Sequence, residues 1–161
     1  MPNEPNPIYW DAPVCLSYIN GEDDRLPILD TILADSSSNK GTVKIYTSTL
    51  SQVEVAFAKS EEENKALNPE IESEIDQLWA DRNTLQLVEF HSNIGIEARS
   101  FMRMALANGW KLKPMDAIHL ATAKTCKAIE FQTYDERLLK YSDSLGISIV
   151  LPHTQKPRMN I

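Results

Sequence analysis

The sequence predicts an α/β fold, a three-layer α/β/α sandwich around a central parallel sheet of about five strands. Short β-branched or aromatic segments alternate with amphipathic helical segments along the chain, the pattern of parallel strands joined by crossover helices. No internal repeat or low-complexity stretch interrupts that alternation. The chain has 161 residues, 42% hydrophobic and 24% charged, enough to build one domain with a real core.

Taken in order, PIYWD (7–11) reads as a short buried strand ending in an acid, and VCLSYIN continues as a brief helix or turn. GEDD offers capping residues before RLPILDTILAD, where Leu26, Leu29, Ile32 and Leu33 fall at helical spacing. SSSNKG is turn chemistry, and TVKIYTS (42–48) alternates as a strand should. Ser48 or Thr49 is the expected cap of one helix through LSQVEVAFAKS (50–60), followed by EEENKALNPE as a charged loop or helix end. Pro69 suits the first turn of the helix EIESEIDQLWAD, and TLQLVEF (84–90) is a third strand. A long amphipathic helix, SNIGIEARSFMRMALANGW, precedes the Ala-rich helix KPMDAIHLATAKTCKA (113–128). AIEFQTYD (128–135) is a fourth strand, ERLLKYSDSLG a short helix and ISIV a fifth strand. The expected domain spans 1–161, with its core at about 7–151 and a loosely held tail at 152–161.

The net charge of −7 argues against non-specific coating of nucleic acid, which is driven by phosphate neutralisation. It leaves open a nucleic-acid enzyme whose acids hold metal ions. Cys15 and Cys126 lie in apolar segments without metal-ligand spacing and read as reduced core residues. MPNEPNPIYW has neither the basic nor the apolar part of a signal peptide, and no apolar run reaches the ~20 residues of a membrane helix. The expected location is the cytoplasm, with no membrane contact.

In open α/β sheets reactive groups gather beyond the carboxyl ends of the strands. Four acids pass that filter: Asp11 ends the first strand, Glu54 lies a turn into the helix after the second, Asp116 opens its helix, and Asp135 ends the fourth strand. Each has a plainer explanation. Asp11 and Asp135 suit helix N-caps, Asp116 suits a first turn, and Glu54 could meet an arginine. Together they would repel one another unless protons or cations neutralised them. Oxygen ligands without imidazole or thiolate favour Mg²⁺ or Mn²⁺, and such sites serve phosphoryl-transfer chemistry.

IYWDAPVCLSYIN, SQVEVAFA, PMDAIHLATA and FQTYDERLL, in that order and spacing, resemble the PIN-domain family over residues of about 7 to 151. The resemblance implies a metal-dependent endoribonuclease with a central parallel sheet, in many bacterial members a VapC-like toxin paired with an antitoxin. It also implies that Asp11, Glu54 and Asp116 bind the principal Mg²⁺ or Mn²⁺, that Asp135 completes the site, and that Thr133 orients ligands or water. One departure stands out: Ala12-Pro13 follows the first acid, where a small polar pair is frequent, and Pro13 has no backbone N–H.

Other residues carry weaker signals. His119 shares a helix face with Asp116 and reads either as a packed histidine or as a neighbour of the site. Arg99, Arg103, Lys111 and Lys113 read as a solvated face or as contacts for RNA phosphates, and Glu61, Glu62 and Glu63 as solvated surface. A two-fold dimer through SFMRMALANGW is expected. The alternatives are a non-catalytic PIN-like module that binds RNA or protein, and another metal-using α/β phosphatase or receiver. Asp11-Ala12-Pro13 lacks the D-x-D of haloacid-dehalogenase-like phosphatases, and Glu89-Phe90-His91 ends the third strand without a receiver's aspartate.

Overall fold

The computed structural model describes residues 4–155. Its centre is one five-stranded sheet of β1 (Asn6–Trp10), β2 (Val43–Ser48), β3 (Leu85–Val88), β4 (Glu130–Gln132) and β5 (Ser148–Val150), ordered β3-β2-β1-β4-β5. Every pairing is parallel, with Tyr9 opposite Tyr46 on one side and Phe131 on the other. In β1 the residues Ile8, Tyr9 and Trp10 are all buried, as a strand covered on both faces requires.

Alternation along β1 splits the core in two. Ile8 and Trp10 pack with Leu29, Ile32, Ile45 and Trp79, beneath α1 (Ala12–Asn20), α2 (Leu26–Ser37) and α5 (Pro69–Ala80). Tyr9 faces the other way, among Phe101, Leu120, Phe131 and Ile149, beneath α6 (Ser92–Ala107) and α7 (Pro114–Thr125). Cys15 is buried, Cys126 is partly buried, and both are free.

Local chemistry explains most boundaries. Asn68 caps α5 by accepting from the Glu70 N–H at 2.9 Å, with Pro69 next in line. After α2 the chain turns back tightly, and the Asp35 carboxylate accepts from the Thr42 and Val43 N–H groups. A Cβ on Gly41 would lie 2.0 Å from the Asp35 carbonyl oxygen, so that turn needs glycine.

Four expectations need correction. The single helix foreseen over 50–60 is two: α3 (Ser51–Glu54) and α4 (Lys59–Asn64), separated where Val55 leaves helical geometry and Ala58 is extended. Neither Ser48 nor Thr49 is the capping residue itself; Leu50 holds that place, and the Ser48 hydroxyl accepts its N–H at 3.1 Å. Glu61 is buried rather than solvated, because its carboxylate accepts the N–H groups of Ala58 at 3.0 Å and Asn68 at 2.8 Å and so ties the start of α4 to the start of α5. The helix foreseen over 136–146 is a 3-10 helix, Glu136–Tyr141, followed by the short α8 (Ser142–Leu145).

Of the tail, 152–155 is held: Pro152 is buried and His153 Nε2 lies 2.8 Å from the Glu130 carboxylate. The rest of the expected loose tail, 156–161, lies outside the described residues. No described helix is long and apolar enough to cross a membrane.

Candidate active site

All four acids stand at the carboxyl edge of the sheet or on the elements that leave it. Asp11 directly follows β1, is extended, and caps α1 with its Oδ1 3.4 Å from the Val14 N–H. Pro13 falls in the first turn, where a helix N–H has no intrahelical partner, so the Ala-Pro departure leaves the cap intact. The other Asp11 oxygen accepts the Thr133 hydroxyl at 2.6 Å. Thr133 is itself fixed through its N–H, which donates to the Val150 carbonyl at 3.0 Å.

Asp11 is 2% exposed. Burial pushes its carboxyl up to about 6, against the lowering effect of Thr133, His119 and the Val14 N–H, and the charge of Asp116 pushes the same way as burial. Asp116 lies in the first turn of α7 but does not cap it; Lys113 occupies the cap position and no side chain caps there. Its pKa is raised, first by burial, then by the charges of Asp135 and Glu54, with His119 and Lys113 opposing. Asp116 is the hub of the group, coupled electrostatically to each of the other three acids.

The remaining two acids have partners. Asp135 caps the 3-10 helix, and Arg137 Nε and Nη2 donate to its two oxygens at 2.9 and 2.8 Å. That guanidinium holds the Asp135 carboxyl below its usual range. Glu54 ends α3, and its Oε1 lies 2.6 Å from His119 Nε2. His119 is therefore both a buried histidine and a contact of the site. Tyr9, which nothing in the sequence singled out, reaches the other imidazole nitrogen at 2.6 Å. Its signal was positional: two residues before Asp11 on a strand, it must face the sheet side that α7 covers.

A pocket of about 420 Å³ opens beside Asp116 and Asp135 and is rimmed by Lys111, Lys113, Arg137 and Trp110. Arg99 and Arg103 are exposed on α6 and do not line it. A larger concavity of about 600 Å³ lies between α2 and α5, lined by Leu33 and Leu78, with none of the four acids. The loop carrying Thr133 and Asp135 is braced by Arg25, stacked 3.8 Å from the centre of the Tyr134 ring.

The donor set is entirely carboxylate, which suits a hard divalent cation. Among the described residues no three acid, histidine or cysteine side chains stand close enough to share one ion. Asp11 and Asp116 fit such an ion best, since both carry raised pKa values and neither has an ion-pair partner among the described residues. Glu54 and Asp135 already share oxygens with His119 and Arg137.

Known proteins resemble the chain in sequence and in fold. The chain is 28% identical over 132 residues to Ribonuclease VapC35 of Mycobacterium tuberculosis, covering 80% of this chain and 87% of the relative. The fold matches VapBC2 from Rickettsia felis bound to a DNA fragment from its promoter, with a TM-score of 0.63, 15% identity and coverage of 88% and 96%. It also matches VapBC-5 of Mycobacterium tuberculosis, a member of the VapBC family of toxin-antitoxin systems, with a TM-score of 0.56, 11% identity and coverage of 91% and 99%. The PIN domain profile matches residues 8–143, which include all five of Asp11, Glu54, Asp116, Thr133 and Asp135. With the parallel sheet and the acids at its carboxyl edge, that match makes the chain a member of the PIN domain family.

Proposed function

We propose that this protein is a Mg²⁺- or Mn²⁺-dependent endoribonuclease that hydrolyses RNA phosphodiesters, the toxin of a toxin–antitoxin pair. The observation that carries the reading is the Asp11–Asp116 couple, two acids with raised pKa values and, among the described residues, no ion-pair partner, at the carboxyl edge of a PIN domain. The relative named a ribonuclease supports RNA as substrate, and the VapBC neighbours support an antitoxin protein as partner.

In this reading Asp11, Glu54 and Asp116 would hold the principal ion once its charge draws their carboxylates together, and Asp135 would complete the site. When bound, the ion supplies Lewis-acid activation of water and neutralises charge on the phosphodiester. Thr133 keeps Asp11 oriented. Lys111, Lys113 and Arg137 at the pocket rim receive the RNA phosphates, with Arg99 and Arg103 exposed on α6 outside the pocket as further contacts. Self-association as a two-fold dimer uses α6, where Leu106 is 80% exposed.

A second reading, a PIN module that binds without cleaving, is favoured by the bidentate Arg137 clamp on Asp135. Incubating the protein with a mixed RNA pool in Mg²⁺, in Mn²⁺ and in EDTA decides between them. Cleavage in either metal and none in EDTA is expected. Intact RNA in all three conditions, with RNA retained by the protein, would give the second reading.

A further inference from the structure

Glu54 is poorly placed to hold anything by itself. It ends α3, a helix of four residues, and its side chain is 28% exposed. The nearby charge of Asp116 repels it. An unrestrained glutamate under those conditions swings into solvent. Yet its Oε1 is fixed by His119, a side chain only 1% exposed.

His119 is fixed in turn. The Tyr9 hydroxyl meets Nδ1 at 2.6 Å and accepts the Ser48 N–H at 3.1 Å. The Tyr9 ring stacks on Phe131 with centroids 5.2 Å apart. An ionised Glu54 only accepts, so His119 Nε2 carries the proton of that bond, while the Ser48 N–H and His119 Nδ1 together fix the Tyr9 hydroxyl.

We propose that His119 and Tyr9 are positioning residues, which hold the Glu54 carboxylate ready for a divalent cation through the line Ser48 N–H, Tyr9 hydroxyl, His119 imidazole, Glu54 Oε1. This rests on reading Glu54 as a ligand. The arrangement economises on elements. Strand β1 presents Asp11 at its end and Tyr9 two residues earlier, while α7 presents Asp116 and His119 three residues apart on one face. Two elements therefore set the relative positions of three acids, and Glu54, on the weakest support, is held by the other two elements. Partners that orient a ligand in this way affect metal affinity by about 10–100-fold.

The test is Mn²⁺ binding by isothermal titration calorimetry on the wild-type chain, His119→Leu, His119→Gln and Tyr9→Phe, with metal-free thermal melts as a check on folding. Mn²⁺ binding should weaken about 10-fold or more in His119→Leu and in Tyr9→Phe. His119→Gln, which keeps a donor near the Nε2 position, should recover most of it. Tyr9→Phe removes one oxygen and retains the stack on Phe131, so it carries the test should His119→Leu fail to fold. Nitrogen-15 spectra should show His119 Nε2 protonated, and its resonance should shift on saturation with Mg²⁺. Wild-type Mn²⁺ affinity in Tyr9→Phe and in folded His119→Leu, or His119 nitrogens unmoved by Mg²⁺, would overturn the positioning role alone. No Mn²⁺ binding by the wild-type chain would overturn it together with the metal-site reading on which it rests.

Discussion

The Thr133 hydroxyl donates to the Asp11 carboxylate at 2.6 Å while accepting the Asp135 N–H at 3.0 Å, so one small side chain ties the acids that end β1 and follow β4. The bond to Asp11 is short, and Thr133 is 3% exposed. Thr133→Val keeps the shape and removes both bonds. It leaves a buried carboxylate oxygen and a backbone N–H without partners, at a cost of about 1–3 kcal/mol in denaturant unfolding. The variant should also lose metal-dependent cleavage, because Asp11 loses its orienting donor.

Asp11 gives a pH dependence of definite sign. Its folded pKa of about 6 lies above the ordinary 3.8, so the folded state binds more protons between those values. The stability this group contributes is therefore full below about 4 and lost as pH rises through about 6. Asp11→Asn has no such titration. In EDTA the variant should be more stable than wild type at pH 7 by about 2–3 kcal/mol, and the gap should close by about pH 4. Thermal melts of both proteins at pH 4, 5, 6 and 7 check it; a gap that widens toward acid would contradict the assignment.

Tyr141 is buried, and among the described residues its hydroxyl has no hydrogen-bond partner. Burial raises its pKa and the Asp116 charge raises it further. An unsatisfied buried hydroxyl costs about 1–3 kcal/mol. Tyr141→Phe should therefore melt at or above the wild-type temperature, and its T-shaped contact with Trp110 should survive.

Ala121 is fully buried in α7, within the core cluster of Tyr9, Phe101 and Phe131. Ala121→Leu overpacks the contact and should cost about 1–3 kcal/mol. Because the same helix carries Asp116 and His119, Mn²⁺ affinity should fall as well, although no ligand has changed. Calorimetry and melts on one preparation report both effects.

The fold was legible because burial on two faces leaves a strong signature in short segments such as PIYWD and TVKIYTS. The acids were legible as positions at strand ends. Their partners were not. Glu54–His119 joins residues 65 apart in sequence and Tyr9–His119 residues 110 apart, and no local pattern encodes such pairs. Glu61 misled for a related reason: in a run of three glutamates only the folded chain reveals which one turns inward to cap two N–H groups. The break between α3 and α4 was hidden because QVEVAFAK keeps helical composition while Val55, fully buried, leaves the helix to reach the core.

Asp116 separates a structural carboxylate from a chemical one. An acid in the first turn of a helix stabilises it by interaction with the helix dipole, and such an acid is usually worth about 0.3–1 kcal/mol. If that were its role, Asp116→Asn would destabilise the protein slightly and leave cleavage alone. The structure argues for the opposite signs. Burial and the charges of Asp135 and Glu54 raise its pKa, so the ionised form is disfavoured where it stands, and removing the charge at neutral pH relieves that repulsion. Asp116→Asn should therefore melt at the wild-type temperature or above it in EDTA. Binding of Mn²⁺ should fall by more than the ~10–100-fold that follows loss of a partner one bond further from the ion. RNA cleavage should disappear with it. Calorimetry, melts and cleavage on that single variant give three readings, and normal cleavage with a lowered melting temperature would return Asp116 to the part of a first-turn acid.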